Sequence, residues 1–366
     1  MKLKTNQWLA LLFVGAAVLT GCAGMSSQLT PETTAASQTT TAKTTTTTTE
    51  TTQKTVHGEL DPLTGEYVLD AAAVGKRPVA VMVNNLKGAL PQYGIEAADI
   101  IYELPVEGGI TRLMAVYADY QHMPNVCSVR SCRYYYPILC LGMDAIYCHW
   151  GSDQTIAKET LQRTGIDHLD GGNLFGSLFF RDPNRVGVYA SEHTGYLDGA
   201  KLPDFIAKKG FRTDRSEDYQ QTTFRFAEPE QPVKPQQLKV NTLTLNFSGA
   251  YFSTFQYDSS LGTYGKLHSG NPHIDQSTGN QLRFENVFVL QTDIHTRADG
   301  YLMDVSLTGG TGYYAANGGM EAITWTKESE TAPIRVFHAD GTELTVSAGK
   351  SYIGIIGTSR KISYSE

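Results

Sequence analysis

The segment 126–136 concentrates residue types that bind anions and sugars, because it reads V-C-S-V-R-S-C-R-Y-Y-Y. Arginine offers planar, bidentate donors to phosphate or carboxylate, and tyrosine offers a stacking face with a polar tip. The candidate ligand-binding residues in this segment are Ser128, Arg130, Ser131, Arg133, Tyr134 and Tyr135. We expect Arg130 and Arg133 to clamp the ligand. A surface strand with ordinary salt bridges is the competing interpretation.

A second candidate lies in the segment 147–153, at a predicted junction between a strand and a helix. Free N–H groups at the start of a helix favour anions. The residues that this junction adds to the predicted ligand site are Gly151, Ser152 and Asp153. His149 is a candidate general base or neutral donor, although a histidine at a strand end can equally be structural.

Carboxylates near Arg112 raise the alternative of catalysis. Glu103 and Glu107 lie in Y-E-L-P-V-E-G-G-I-T-R, and two carboxylates that face one pocket could divide the acid and base roles of glycoside hydrolysis. An exposed turn with an ion pair is the competing interpretation. Besides these two carboxylates and His149, the catalytic candidates are Arg112, Arg181 and Asp182. Glu192 beside His193 also invites an acid–base role, but neighbours along a strand point apart.

The cysteines after residue 22 do not form a convincing metal site. Cys127, Cys132, Cys140 and Cys148 are separated by four, seven and seven residues, whereas zinc ligands usually pair at shorter spacings. We expect mostly buried thiols, with one disulfide as the alternative. The chain also lacks G-x-S-x-G, H-E-x-x-H and P-loop motifs. The sequence therefore predicts neither a metal nor a cofactor.

The N-terminus indicates where the protein works. Lys2 and Lys4 precede an apolar run of about a dozen residues, short of the roughly 20 that span a bilayer, and Leu-Thr-Gly-Cys22 follows. This pattern resembles a bacterial lipoprotein signal, so we predict a signal peptide at 1–21 and lipidation of Cys22. An ordinary signal peptide and an uncleaved anchor are the alternatives. The prediction places the mature chain on the extracytoplasmic face of the cell membrane, held by its lipid.

Composition divides the rest of the chain. A Thr-rich stalk is predicted at 22–56, an α/β domain at 57–226, a Pro-rich linker at 227–240 and a mainly β domain at 241–366. The predicted fold class is thus α+β: a mixed sheet in the first domain, and a sandwich or barrel-like second domain. Removing Lys2 and Lys4 lowers the formal charge from −7 to −9, which leaves no overall basic field for nucleic acid.

Periodicity predicts the elements that position these residues. Strands are predicted at 77–84, 99–105, 110–117 and 144–150, and helices at 152–164 and from Pro203 to Gly210. Strands of the second domain are predicted at 242–247, 283–290, 301–307, 322–326, 334–338 and 352–356. The glycine-rich segments 308–312 and 317–319 are predicted to be tight turns.

An ordered set of short strings extends over nearly the whole mature chain. The strings are P-V-A-V-M-V-N at 78–84, A-D-I-I-Y-E at 98–103, V-E-G-G-I-T-R at 106–112, S-V-R-S at 128–131 with Arg133, D-A-I-Y at 144–147 with His149, F-R-D at 180–182, His273 with Asp275, N-V at 286–287, and Trp325. The set resembles the DUF3048 family of YerB-like bacterial lipoproteins. The resemblance implies a membrane-anchored lipoprotein, chiefly of Gram-positive bacteria, without an assigned reaction. The family's Pro-His-Asn motif stands here as S-E-H at 191–193.

Three functions follow from these patterns. The first hypothesis is a lipoprotein that binds an anionic or glycan ligand of the cell envelope. The second is a hydrolase or transferase that acts on a cell-wall polymer, with His149 and Glu103 or Glu107 as acid–base groups. The third is a scaffold for a membrane-protein partner, which predicts an exposed apolar patch instead of a polar site.

Overall fold

The computed structural model describes residues 58–219 and 224–366. The predicted signal peptide, Cys22 and the predicted stalk lie outside the described residues. Residues Lys54–Glu366 form one compact unit, which contains both hydrophobic cores described below. Within the described residues, no helix combines the length and the apolar character needed to cross a membrane.

The first half of this unit alternates short strands with three helices. Its strands are β1 (Glu59–Leu60), β2 (Tyr67–Leu69), β3 (Val79–Asn84), β4 (Ile100–Pro105), β5 (Thr111–Tyr117), β6 (Val126–Cys127), β7 (Ile146–His149), β8 (His168–Asp170), β9 (Phe179–Arg181) and β10 (Gly195–Leu197). The helices are α1 (Tyr135–Leu141), α2 (Ile156–Thr164) and α3 (Leu202–Lys209).

The second half is built from strands and turns. Its strands are β11 (Arg225–Phe226), β12 (Leu238–Lys239), β13 (Thr242–Asn246), β14 (Phe252–Asp258), β15 (Thr263–His268), β16 (Asn271–Pro272), β17 (Arg283–Phe284), β18 (Asn286–Thr292), β19 (Ile294–Thr296), β20 (Met303–Val305), β21 (Gly309–Ala316), β22 (Gly319–Thr326), β23 (Arg335–His338), β24 (Thr345–Val346), β25 (Ser351–Gly357) and β26 (Ile362–Ser365).

A large mixed sheet joins the two halves. Its order is β12-β22-β21-β18-β25-β4-β5-β3-β7-β8, with β23 beside β22. The halves meet where β25 pairs in parallel with β4, so the sheet is continuous across the predicted linker at 227–240. In the first half, β3, β7 and β8 are parallel neighbours, and their carboxyl ends lie at one edge of the sheet.

Residues along the central strands alternate between two cores. In β3, Ala80 and Met82 pack into the core that contains α1 and α2, while Val79, Val81 and Val83 pack into the opposite core. This two-residue period buries both faces of the strand. The second core is covered by an antiparallel sheet, β16-β15-β14-β13-β26 with β17 beside β15. The α+β fold class, with a mixed sheet first and a mainly β half second, is confirmed.

The predicted helices differ from the observed ones at one boundary and by one missed helix. The second helix of the fold begins at Ile156 rather than at Ser152, because the Asp153 carboxylate accepts the N–H groups of Thr155 and Ala157. Helix α3 ends, as predicted, at Gly210 in the left-handed conformation. The helix α1 that follows Tyr134 was not predicted.

Residues 309–312 of the predicted turn 308–312 belong to strand β21. Its glycines are needed for close approach, since a Cβ on Gly310 would lie 2.0 Å from the Gln291 carbonyl oxygen. The indole N–H of Trp325 donates to that same oxygen at 3.2 Å. The turn at Asn317 and Gly318 forms as predicted, with φ of 50° and 72°, and joins β21 to β22.

Candidate functional site

The carboxyl edge of β3 and β7 is covered by the segment 128–133. The Asn84 N–H donates to the Ser128 carbonyl at 2.8 Å, and the Arg130 N–H donates to the Met82 carbonyl at 3.0 Å. On the other side, the Trp150 N–H donates to the Arg130 carbonyl at 3.0 Å. Crevices outside the carboxyl ends of strands are where open α/β sheets bind ligands. The sheet therefore places the predicted arginine segment at such an edge.

Arg130 is partly exposed and forms no ion pair among the described residues. Its Nε atom is buried without a hydrogen-bond partner there, and so is the Ser128 hydroxyl. Burial lowers the pKa of Arg130, and Arg133 and Arg181 lower it further, whereas Glu192 and Glu107 oppose them. A guanidinium whose Nε has no partner has unused capacity to bind an anion.

Arg133, the other predicted clamp residue, is already paired. Its Nε donates to the Glu107 carboxylate, and Nη1 donates to the Cys132 carbonyl at 2.8 Å. Arg112 is buried beside them and donates to the Ser131 carbonyl at 2.8 Å. Arg112, Arg130 and Arg133 thus lie together around the carboxylate of Glu107, while Glu192 acts on Arg130 and Asp153 acts on Arg133 from nearby.

The hydroxyl groups of the tyrosines next to this cluster are hydrogen-bonded within the protein. The Tyr135 ring is 1% exposed and its hydroxyl donates to the Pro105 carbonyl at 2.7 Å. The Tyr134 hydroxyl donates to the Asp304 carboxylate at 2.5 Å and accepts the Val305 N–H. Tyr134 thereby fastens the first half to the hairpin of β19 and β20, and Tyr135 has no face that a ligand could stack on.

The predicted junction residues shape the loop after β7. Gly151 has a φ of 75°, and its N–H donates to the Asp170 carboxylate at 2.7 Å. Ser152 lies beside Cys132 in a parallel bridge. Asp153 caps α2 with its carboxylate. The Gly151 N–H, one of the donors that were predicted to bind an anion here, is thus engaged within the protein.

His149 is buried inside the sheet edge. Its Nδ1 donates to the Gly151 carbonyl at 2.8 Å, so Nε2 accepts from His168 Nδ1 at 2.9 Å. Burial lowers the pKa of His149 to about 4, although Asp170 opposes the shift. The imidazole is therefore neutral at physiological pH and both of its nitrogens are occupied, which makes it a structural group.

Glu103 lies in a buried polar network between the two halves. Its oxygens accept hydrogen bonds from Asn85, Thr111, Ser253 and Tyr352, and Lys266 Nζ lies 3.2 Å from Oε2. Burial raises the pKa of Glu103, but Lys266 and His268 outweigh burial and hold it below its usual value. Glu103 is 2% exposed, so it is a fixed anion without access to a substrate.

Arg181, whose charge acts on Arg130, and Asp182 lie at the end of β9. The Arg181 guanidinium lies 4.6 Å from the centre of the Trp150 ring, and it donates to the Ser191 carbonyl. Asp182 is buried and accepts the Asn184 N–H at 2.9 Å. Arg130 and Arg181 therefore form a cationic surface, and Asp182 stabilises the loop that follows β9.

An aromatic surface adjoins this cationic surface. Trp150 packs against Phe175 at a centroid distance of 5.8 Å, and the Phe175 ring is 59% exposed. The tight packing of Trp150 requires glycine at two positions, because a Cβ on Gly171 or Gly195 would lie 2.7 Å from its ring. The Trp150 ring is thus fixed, and Phe175 offers an exposed apolar face next to it.

Asn84 and His193 also lie at this edge, although sequence reasoning did not place them in the site. Asn84 Nδ2 donates to His193 Nδ1 at 2.8 Å. His193 is 8% exposed and lies close enough to Arg130 and Arg185 for their charges to lower its pKa, in addition to burial. The signals that could have indicated them are the asparagine that ends a buried strand and the Glu-His pair at 192–193.

The four described cysteines are the remaining candidates for metal or redox chemistry. All four described cysteines, Cys127, Cys132, Cys140 and Cys148, are buried free thiols. Burial raises the pKa of Cys127 to about 11 and that of Cys132 to about 12, so both are protonated and poor nucleophiles. Across 58–219 and 224–366, no group of three or more His, Cys, Asp or Glu side chains is arranged to hold a metal ion.

Comparison with known proteins agrees with this architecture. A protein from Bacillus subtilis (strain 168) named "Putative lipoprotein YerB" is 28% identical over 297 residues, which are 81% of this chain and 85% of that protein. The crystal structure of the YerB protein from Bacillus subtilis superposes with a TM-score of 0.70 at 28% identity, covering 83% of this chain and 99% of that chain. Residues 63–212 match the N-terminal domain, and residues 243–353 the C-terminal domain, of a protein of unknown function, DUF3048. With both domains present in order, the chain belongs to the DUF3048 family.

Proposed function

We propose that this chain is a lipid-anchored lipoprotein of the extracytoplasmic membrane face that binds an anionic cell-envelope polymer at the carboxyl edge of its central sheet. The anchor is supported by the Leu-Thr-Gly-Cys22 string and by the name of the Bacillus subtilis relative. The binding function rests on one observation: the buried Nε of Arg130 has no hydrogen-bond partner among the described residues, although Arg130 lies close to the further cations Arg133 and Arg181.

The geometry favours binding over catalysis. Catalysis by His149 or Glu103 would need a side chain that reaches a substrate, and both are buried with their hydrogen bonds satisfied inside the protein. Glu107 is committed to Arg133. Arg130, by contrast, is partly exposed and carries a permanent charge, which suits the retention of an anion and not the transfer of a proton.

The aromatic surface favours a ligand with a sugar or polyol part. Phe175 lies next to Trp150, and Trp150 lies under Arg181, so an apolar face and a cation are adjacent. A sugar ring combines apolar C–H faces with hydroxyl groups, and aromatic side chains provide a flat surface for such faces. An anionic glycan or polyol chain would contact both surfaces at once.

The test is retention of the compact unit, residues 54–366, on purified cell walls at low salt. Walls with and without their anionic polymers are compared, using wild type, Arg130→Gln and the control Arg360→Gln, which removes an exposed arginine in the loop between β25 and β26. Retention that needs the anionic polymers and Arg130, but not Arg360, supports the proposal. Equal retention of all three proteins, or none by wild type, overturns it and directs the search to protein partners in the membrane.

A further inference from the structure

Two exposed valines, Val186 and Val188, form the tip of the loop that follows β9. Val186 is 56% exposed and Val188 is 77% exposed. Gly187 lies between them with a φ of 81°, which glycine adopts readily in a tight turn. Turn residues are usually polar or glycine, because a turn faces water. We call the two residues the valine tip.

The loop that carries the valine tip is held in place from inside. The Val186 N–H donates to the Asp182 carbonyl at 3.0 Å. The buried Arg185 guanidinium donates to the carbonyls of Ala89 and His193, at 3.0 and 3.3 Å. The valines are therefore presented by a loop that is already ordered, so a partner that binds them does not have to order it.

A row of aromatic side chains lies on the outer face of the sheet β6-β10-β9. Tyr196 is directly opposite Phe180 on one side and Cys127 on the other, and Tyr93 forms a bridge with Cys127. Side chains that are directly opposite in an antiparallel ladder share a face. Tyr93, Tyr196 and Phe180 thus form one aromatic row, and each of the three is partly exposed.

The aromatic row and the valine tip are joined by Arg185. Its guanidinium lies 5.5 Å from the centre of the Tyr93 ring and 4.7 Å from that of Tyr189, which follows Val188. The row and the tip are thus parts of one surface. Monomeric soluble proteins rarely expose contiguous apolar surfaces of this kind without a partner.

The other end of the row carries a cation that is already balanced. Lys201 Nζ lies 4.1 Å from the centre of the Phe180 ring and 2.9 Å from the Asp198 carboxylate. The surface therefore offers apolar and aromatic contacts rather than a free charge at this end. Its chemistry differs from that of the Arg130 site.

A lipid bilayer is the partner that the sequence itself brings within reach. Residues 23–57 separate Cys22, the predicted lipidation site, from Gly58, the first described residue. These roughly 35 residues can span at most about 120 Å, so an anchored unit stays near the membrane surface. Tyrosine favours the boundary between lipid and water, because its ring is apolar and its hydroxyl is polar.

Resting on the lipid anchor of the proposed function, we propose that the valine tip and the aromatic row dock the folded unit onto the bilayer. Val186 and Val188 enter the boundary between headgroups and acyl chains, and the tyrosine hydroxyls stay among the headgroups. Phe180 and Arg181 are neighbours in β9 and point to opposite faces. Docking therefore leaves free the face on which Arg181 lies over Trp150.

The first experiment places an environment-sensitive fluorophore at the valine tip. In residues 54–366, Val188→Cys adds an exposed thiol, whereas the four described native cysteines are buried. The emission of the labelled protein should shift to the blue when vesicles of phosphatidylcholine are added. The matched control is Val68→Cys, because Val68 is 63% exposed in β2. Phosphatidylcholine carries no net charge, so binding to it is independent of the cationic surface.

Sedimentation with the same vesicles measures the affinity without a label. Wild type should be half bound at or below about 10 mM lipid, because a short tether holds its partner at a millimolar effective concentration. The double variant Val186→Ser/Val188→Ser should need about tenfold more lipid. The control double variant Val68→Ser/Val74→Ser, which changes two other exposed valines, should bind as wild type does.

A blue shift confined to position 188, together with weakened binding confined to the tip variant, supports the proposal. Equal shifts at positions 68 and 188, equal binding of the two double variants, or no binding up to about 10 mM lipid overturns it. A dimer in light scattering that the tip variant converts to a monomer assigns the surface to a second copy of this chain, and this also overturns it. Retention on cell walls through Arg130 is measured separately, so either proposal can fail while the other stands.

Discussion

The buried ion pair between Glu103 and Lys266 should be the most sensitive point of the fold. Lys266 is fully buried, Glu103 is 2% exposed, and the pair joins a strand of the first half to a strand of the second. Lys266→Met leaves the Glu103 carboxylate buried without a cation. Removing one partner of such a pair costs about 3–5 kcal/mol. Urea unfolding of residues 54–366 at neutral pH should therefore show a loss of that size.

Lys266→Met should also reverse the direction in which acid changes the contribution of Glu103 to stability. In the wild type, Glu103 has a pKa below its usual value, so its contribution to stability is present at neutral pH and is lost as pH falls through that pKa. Without Lys266, burial dominates and raises the pKa of Glu103 above that of the unfolded chain. The penalty of Lys266→Met should then shrink as pH falls and protonates Glu103.

A double-mutant cycle isolates the pair. Glu103→Gln with Lys266→Met removes both charges, and the double variant should be more stable than the sum of the two single losses implies. A loss below about 1 kcal/mol for Lys266→Met, or a penalty that grows in acid, would show that the pair does not carry the stability assigned to it.

Three further predictions concern the site and its support. Arg133→Ala should lower the free energy of unfolding by about 3 kcal/mol, because it leaves Glu107 buried without its partner; urea unfolding measures this, and an unchanged midpoint contradicts it. Gly195→Ala should cost about 1–3 kcal/mol by pressing a methyl group into the Trp150 ring, and a stability equal to wild type would refute that packing. Phe175→Ala should change stability by less than about 0.5 kcal/mol and weaken polymer binding about fivefold, whereas unchanged binding would remove Phe175 from the site.

Much of the fold follows from sequence because its strands are regular. The runs at 79–84 and 111–117 are buried throughout and mostly apolar, and they form β3 and β5 close to the predicted limits. Strand β21 was missed because its glycines resemble a turn, and only the contact with the neighbouring strand and Trp325 explains them. The pairing of β25 with β4 joins residues some 250 positions apart, which no local pattern reports.

The candidate site, like the fold, could be predicted only where it depends on local sequence. Residue type and spacing drew attention to Arg130 and its neighbours, but sequence could not tell which arginine has a partner. Arg133 and Arg130 are chemically identical and three residues apart, yet within 58–219 and 224–366 only Arg133 of the two forms an ion pair, because Glu107 comes from the turn after β4. The Asn84–His193 pair was missed because its members are 109 residues apart.

The NMR signal of the Arg130 guanidinium tests most directly the claim that Arg130 binds the anionic polymer. In a ¹H–¹⁵N spectrum of residues 54–366, the Nε–H signal of Arg130 is identified as the one that disappears in Arg130→Gln. Titration with poly(glycerol phosphate) should shift this signal saturably, while the signal of Arg163, which is paired with Glu330 far along the chain, should stay in place. If the Arg130 signal does not move while the polymer binds, the anion is held elsewhere and the proposed site is wrong.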